Sequence, residues 1–190
     1  MEMKFPESSI VNPPHKIEGD MRTARDDFFE FAKSRVRYMT ADEFADWVKE
    51  MVDNADIKIG AGFVPFYITF KENSDGSEER FIENLEIGIN RDEFTVDGES
   101  FEDLIPFVLE HEIQEAWLNS KRGHLDGPSA ATQEGMHTKH LLAERKEFYL
   151  AEKAGLGEKL FRWRMRKYPE GEEEYLGAWE SAKKKLASSK

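Results

Sequence analysis

Leu104-Ile105-Pro106-Phe107-Val108-Leu109-Glu110-His111-Glu112-Ile113-Gln114-Glu115-Ala116-Trp117-Leu118 joins a helical apolar pattern to side chains that carry chemistry. At about 100° per residue, Leu104, Phe107, Val108, His111, Glu115 and Leu118 fall on one side of a helix. Ser100-Phe101-Glu102-Asp103 reads as its cap and Pro106 suits its first turn, so the helix should run from about Ile105 to Lys121. His111 and Glu115 then stand one turn apart inside an apolar stripe. A carboxylate there costs on the order of several kcal/mol unless it is paired, protonated or bound to a metal. Glu112 lies roughly 100° further round, at the edge of the same face.

Downstream, Gly123-His124-Leu125-Asp126-Gly127-Pro128 reads as a loop and Ser129 as the cap of a further helix. That helix should reach about Lys153, with Gly155 and Gly157 as its stop. His137, His140 and Glu144 lie within about 60° of each other on its projection. His140 and Glu144 repeat the spacing of His111 and Glu115. If the two helices pack antiparallel, four side chains converge, and three such groups plus a water complete a tetrahedral zinc site. The expected ligands are His111, Glu115 and His140. Glu144 is a further ligand or the acceptor that orients a histidine, and His137 is the reserve.

The tetrad His111-Glu112-x-x-Glu115 resembles the H-E-x-x-H helix of the zincin metallopeptidases. In that family the two histidines bind zinc and the Glu after the first acts on the metal-bound water. His111 and Glu112 match the first ligand and the general base. Glu115 stands where the second histidine would be. A carboxylate also ligates zinc, with a charge that makes the metal a weaker Lewis acid. The longer metzincin motif does not continue, since Leu118, Lys121 and Arg122 stand where it would run. The resemblance spans roughly residues 60–153, in the order hairpin, tetrad helix, loop, second helix. It implies a zinc-dependent hydrolase, with Glu112 catalytic and a peptide, protein or other acyl compound as substrate.

The hairpin comes from Phe63 to Lys71, rich in aromatic and β-branched residues, a turn at Asn73-Ser74-Asp75-Gly76-Ser77, and a returning strand from Arg80 to Asn90. Phe94-Thr95-Val96 should extend it before the Asp97-Gly98 turn. Upstream, residues 1–19 read as an extended arm and about Asp20 to Met39 as a helix. Thr40-Ala41-Asp42-Glu43 is a capping box opening a second helix with Phe44, Trp47, Val48, Met51 and Val52 at helical spacing. His15 and His124 read as loop residues. The expected fold class is α+β: a mostly helical single domain over residues 20–190 around a small antiparallel sheet, zincin-like in its core, with C-terminal helices over 157–190.

Composition narrows the function classes. The chain has 190 residues, 39% hydrophobic and 35% charged, with 14 Phe and 4 Trp to build a core. A net charge of −12 argues against nucleic acid or anionic membrane as a general partner. No cysteine is present, which removes thiolate sites and disulfides. No apolar run approaches a membrane span and the first residues lack the apolar core of a signal peptide, so the cytoplasm is the expected compartment. Lys159-Leu160-Phe161-Arg162-Trp163-Arg164-Met165-Arg166-Lys167-Tyr168 is basic and aromatic; it reads as an amphipathic helix docked through Leu160, Phe161 and Trp163 in preference to a nucleic-acid contact. Glu172-Glu173-Glu174 and Lys183-Lys184-Lys185 mark a terminal helix whose charges follow its dipole.

Two other functions compete with the zinc hydrolase. One is a non-hydrolytic metal site, of which a dinuclear iron or manganese centre is one form; it lacks a full set of E-x-x-H carboxylates, Glu134/His137 being the one match. The other is a metal-free protein-interaction module.

Overall fold

The computed structural model describes residues 15–17, 21–51, 61–63, 67–75, 78–83, 85–120 and 133–189. The fold is α+β and mostly helical, with small sheets. The tetrad helix, α3 (Ile105–Ser120), starts where Pro106 allows and follows a 3-10 turn at Glu102–Leu104. Ser100 Oγ accepts a hydrogen bond from the Glu102 amide at 3.4 Å, but the residue at the cap of the 3-10 turn is Phe101, which makes no side-chain capping bond. Burial goes further round α3 than the stripe implied: Ile113, Ala116 and Trp117 are buried beside Leu104, Val108 and His111. The reason is a second packing partner. Helix α1 (Met21–Lys33) lies against α3 and puts the Phe28 ring 5.3 Å from Trp117.

Helix α1 ends well before Met39, where the periodicity placed it. The Ser34 hydroxyl donates to the Phe31 carbonyl at 2.6 Å, competing with the helical ladder. Val36–Met39 is instead a strand, β2, pairing in parallel with β6 (Ile87–Asn90). Its β-branched and aromatic residues suit that pairing, which no local rule foresees. The capping box holds. The Thr40 amide donates to Glu43 Oε2 at 2.8 Å and the Glu43 amide to Thr40 Oγ1 at 3.4 Å, opening α2 (Ala41–Met51).

The expected hairpin exists as β4 (Tyr67–Glu72) and β5 (Glu78–Glu83), in register from Tyr67–Glu83 to Glu72–Glu78. Its returning strand is not continuous to Asn90. β5 lies in one three-stranded sheet beside β1 (His15–Ile17), whereas β6 lies in another between β2 and β3 (Ala61–Phe63). Leu85, at 1% exposure, marks the crossing between the sheets. β6 is buried at all four positions, so it has no solvent face for an alternating pattern to reveal. Gly88 is required there, because the Trp47 ring occupies the space a Cβ would fill. Phe94 ends a 3-10 turn, not a strand, and a small hairpin follows: β7 (Thr95–Val96) and β8 (Glu99–Ser100) around Asp97 and Gly98, both at positive φ.

His15 is a strand residue, not a loop one. Its ring lies 4.1 Å from Phe31 and 3.2 Å from the Asp27 carboxylate. Gly123–Ser129, His124 and residues 1–14 lie outside the described residues.

Helix α4 (Gln133–Lys153) ends in a glycine C-cap at Gly155, φ +77°. There the Leu156 amide reaches the Ala151 carbonyl at 2.8 Å and the Gly155 amide that of Glu152 at 3.0 Å. Gly157 is no part of the stop; it opens α5 (Gly157–Lys167). Leu160 and Trp163 of α5 are buried, and Trp163 stacks on Phe94 at 4.9 Å. Its cations meet acids: Lys159 pairs with Asp103, Arg162 and Arg166 with Glu99, and Lys167 with Glu93. Helix α6 (Glu172–Ala187) closes the fold against α4. One hydrophobic cluster joins Ala24 of α1 to Ala182 of α6 through α3, α4 and α5. Among the described residues no helix is long and apolar enough to cross a membrane.

Candidate metal centre

Helices α3 and α4 pack closely, which brings together residues 25 to 36 positions apart in sequence. His111 Nε2 stands 3.2 Å from His140 Nδ1 and 3.5 Å from Glu115 Oε2. The third side of the triangle, His140 Nδ1 to Glu115 Oε2, is 3.4 Å. A tetrahedral zinc with bonds of about 2.0–2.2 Å sets its ligand atoms roughly 3.3–3.6 Å apart. Three donors of the right kind therefore stand at the edges of such a tetrahedron, and the residues fit a zinc ion. Exposure rises from 2% at the His111 side chain through 21% at Glu115 to 41% at His140, so the triangle opens to solvent on the His140 side.

The other nitrogen of His111 is held from behind. Nδ1 lies 3.1 Å from Glu147 Oε2, and Arg164 Nη2 donates to that same oxygen at 2.7 Å. Glu147 is fully buried and Arg164 nearly so. A histidine that donates Nδ1–H to a carboxylate keeps the lone pair on Nε2, the atom facing Glu115 and His140. Burial acts against the Arg164 charge, but the Glu147 carboxylate more than offsets it and the guanidinium stays protonated.

Of the predicted site residues, His111, Glu115 and His140 meet in one place. Glu144 does not join them. Its carboxylate groups with His140 and with Glu174 of α6. The acceptor that orients a histidine is Glu147, not Glu144. His137 lies within α4, but its side chain is outside the described residues. Glu112 is partly exposed, and its carboxyl is pushed up to about 7, first by burial and next by the Glu115 charge, with His111 pulling the other way.

Three functional candidates were not singled out from sequence. Glu147 had a signal, since it falls about 20° from His140 on the helical projection and so extends the same face. Arg164 had none, being one of several cations on α5. Glu174 was hidden in an acidic first turn. No family model, no curated protein and no solved structure matches this chain. The geometry therefore carries the reading of the site.

Protons and cations compete at this centre. In the metal-free protein burial disfavours a charged His111, but Glu115 and Glu147 more than offset this and hold its pKa at about 10. Burial likewise pushes Glu115 up, and His111 and His140 bring it down to about 2. A histidine ligates only through a deprotonated nitrogen, so uptake of a cation at pH 7 should release about one proton from His111. Affinity should climb with pH toward 10. Calorimetric titration with zinc in two buffers of different protonation enthalpy measures the release. Uptake without any would remove His111 from the ligand set.

Proposed function

We propose that this chain is a zinc-dependent hydrolase with a zincin-like catalytic core, acting on a peptide or another acyl substrate. The observation that carries the reading is the triangle of His111 Nε2, Glu115 Oε2 and His140 Nδ1, with sides of 3.2–3.5 Å, braced through His111 Nδ1 by Glu147. A zinc ion so held supplies Lewis acidity, polarising a carbonyl oxygen and lowering the pKa of water.

The chain's own residues do the rest. His111, Glu115 and His140 form the cradle, and the buried Glu147–Arg164 pair fixes the His111 ring. Glu112, next to His111 in the chain, takes a proton from the attacking water and passes it to the leaving nitrogen. A carboxylate with a pKa near 7 suits both steps at neutral pH. The Glu115 charge reduces the Lewis acidity available, so more of the work falls on Glu112.

Replacing His111 by Ala tests the cradle. Elemental analysis of protein purified without a His-tag should find zinc in the parent and at least one equivalent less in His111→Ala, as loss of one of three protein ligands implies. The His140→Ala protein should behave the same way. A zinc content equal to the parent's in both variants would remove the triangle from the proposal, and the absence of any metal from the parent would favour the interaction module. A second reading draws on the neighbouring His140, Glu144 and Glu174: a non-hydrolytic iron or manganese centre. Iron or manganese in place of zinc, with no turnover, would select it.

A further inference from the structure

We infer that a second divalent transition-metal cation binds between α4 and α6, held by Glu144, Glu174 and His140. Glu144 is 1% exposed, yet neither of its carboxylate oxygens has a hydrogen-bond partner among the described residues. Glu174 Oε1 is also buried and without a hydrogen-bond partner among the described residues. Ligand atoms of His140, Glu144 and Glu174 all lie within 4.8 Å of one another. Burying the Glu144 carboxylate beside a second acid is costly unless a positive charge offsets it. The nearby guanidinium of Arg164 directs its hydrogen bond to Glu147 instead. A cation would give the orphaned oxygens the partner they lack.

The donor set names the class of ion. One imidazole nitrogen with two carboxylates suits zinc, manganese or ferrous iron, whereas calcium and magnesium favour oxygen alone. Placement adds a structural consequence. Glu174 comes from α6, which contributes nothing to the His111–Glu115–His140 triangle, so this ion would tie the C-terminal helix to α4, the helix that carries His140. His140 stands in both groups; to hold both ions at once it would bridge them through Nδ1 and Nε2 as an imidazolate, its remaining N–H proton passing to solvent, and through that residue alone the inference rests on the hydrolase reading.

The test is metal stoichiometry of the full chain, with zinc and with manganese as probes, read by elemental analysis after dialysis. The parent should hold two ions per chain, as paired-metal centres do. Glu174→Gln should hold one and Glu115→Gln should hold one. Glu174 is half-buried and Gln keeps its shape, so the variant folds. Hydrogen exchange gives an independent readout: the cation should slow exchange across Glu172–Ala187 at least tenfold in the parent and leave it unchanged in Glu174→Gln. One ion in the parent, kept in Glu174→Gln, overturns the second site and leaves the triangle standing. Two ions that persist in Glu174→Gln overturn it equally. Loss of both ions in Glu174→Gln means the groups form a single site, which also overturns the inference. A parent that binds no ion brings down this site and the hydrolase reading together.

Discussion

Glu112→Gln should retain its zinc and lose about 10²–10⁴-fold in kcat on any peptide the parent cleaves, the range general acid–base groups supply. The substitution keeps size and shape and removes only the ability to take up a proton. Glu112 is not one of the three cradle donors, so metal content should match the parent's within error. KM should move little, because the lost interaction belongs to the transition state. The pH profile of the parent gives a companion measurement. Glu112 must be deprotonated to act, so kcat/KM should fall on the acid side. That limb should lie at or below pH 7, since burial holds the metal-free carboxyl at about 7 and a nearby cation lowers it. Turnover by the Gln variant at the parental rate would take Glu112 out of the mechanism.

Arg164→Met should cost about 3–5 kcal/mol, the usual consequence of removing one partner from a buried ion pair. Glu147 would be left fully buried with His111 alone of its two cations to offset its charge, and Glu144 would lose a nearby cation that now favours its ionised form. For a chain of this length each kcal/mol is worth roughly 2–4 °C in Tm, so a fall of roughly 6–20 °C is expected. Adding Glu147→Met should recover much of the loss, because no unpaired charge then remains. Burial alone would raise the Glu147 pKa, but Arg164 and His111 bring it down to about 2. Its contribution is therefore present above about pH 4.5 and lost as pH falls toward 2. The parent should lose stability in that window and Arg164→Met should lose much less. A Tm within about 2 °C of the parent would show that Arg164 and Glu147 are not a buried pair in solution.

The site was half legible in the chain. The His-x-x-x-Glu spacing on α3 and its repeat on α4 are consequences of 3.6 residues per turn, and they placed His111, Glu115 and His140 correctly as neighbours. The same projection put Glu144 beside His140, where it groups with Glu174 of α6 and not with His111 and Glu115. A helical wheel ranks residues by angle and carries no information about which neighbour lies on each side. Arg164 shows the limit best. In sequence it is one cation among several, and only the docking of α5 against α4 makes it the buried partner of Glu147.

The fold divides along the same line. The capping box at Thr40, the glycine stop at Gly155 and the turn at Asp97-Gly98 follow from local backbone rules. The end of α1 and the split between β5 and β6 do not. Val36–Met39 becomes a strand because β6 lies beside it, some 50 residues downstream, and Leu85 crosses between sheets because each sheet has its own partners.

By itself, then, the amino-acid order determined the helices, their caps, the α+β class and a pair of His/Glu faces awaiting a partner. The tertiary structure decided which faces meet, that Glu147 and Arg164 brace His111, and that Glu144 turns to Glu174. The physical reason is range. Periodicity and capping act over three or four residues, whereas the charges that set this centre are brought together by apolar packing between helices 17 to 36 residues apart.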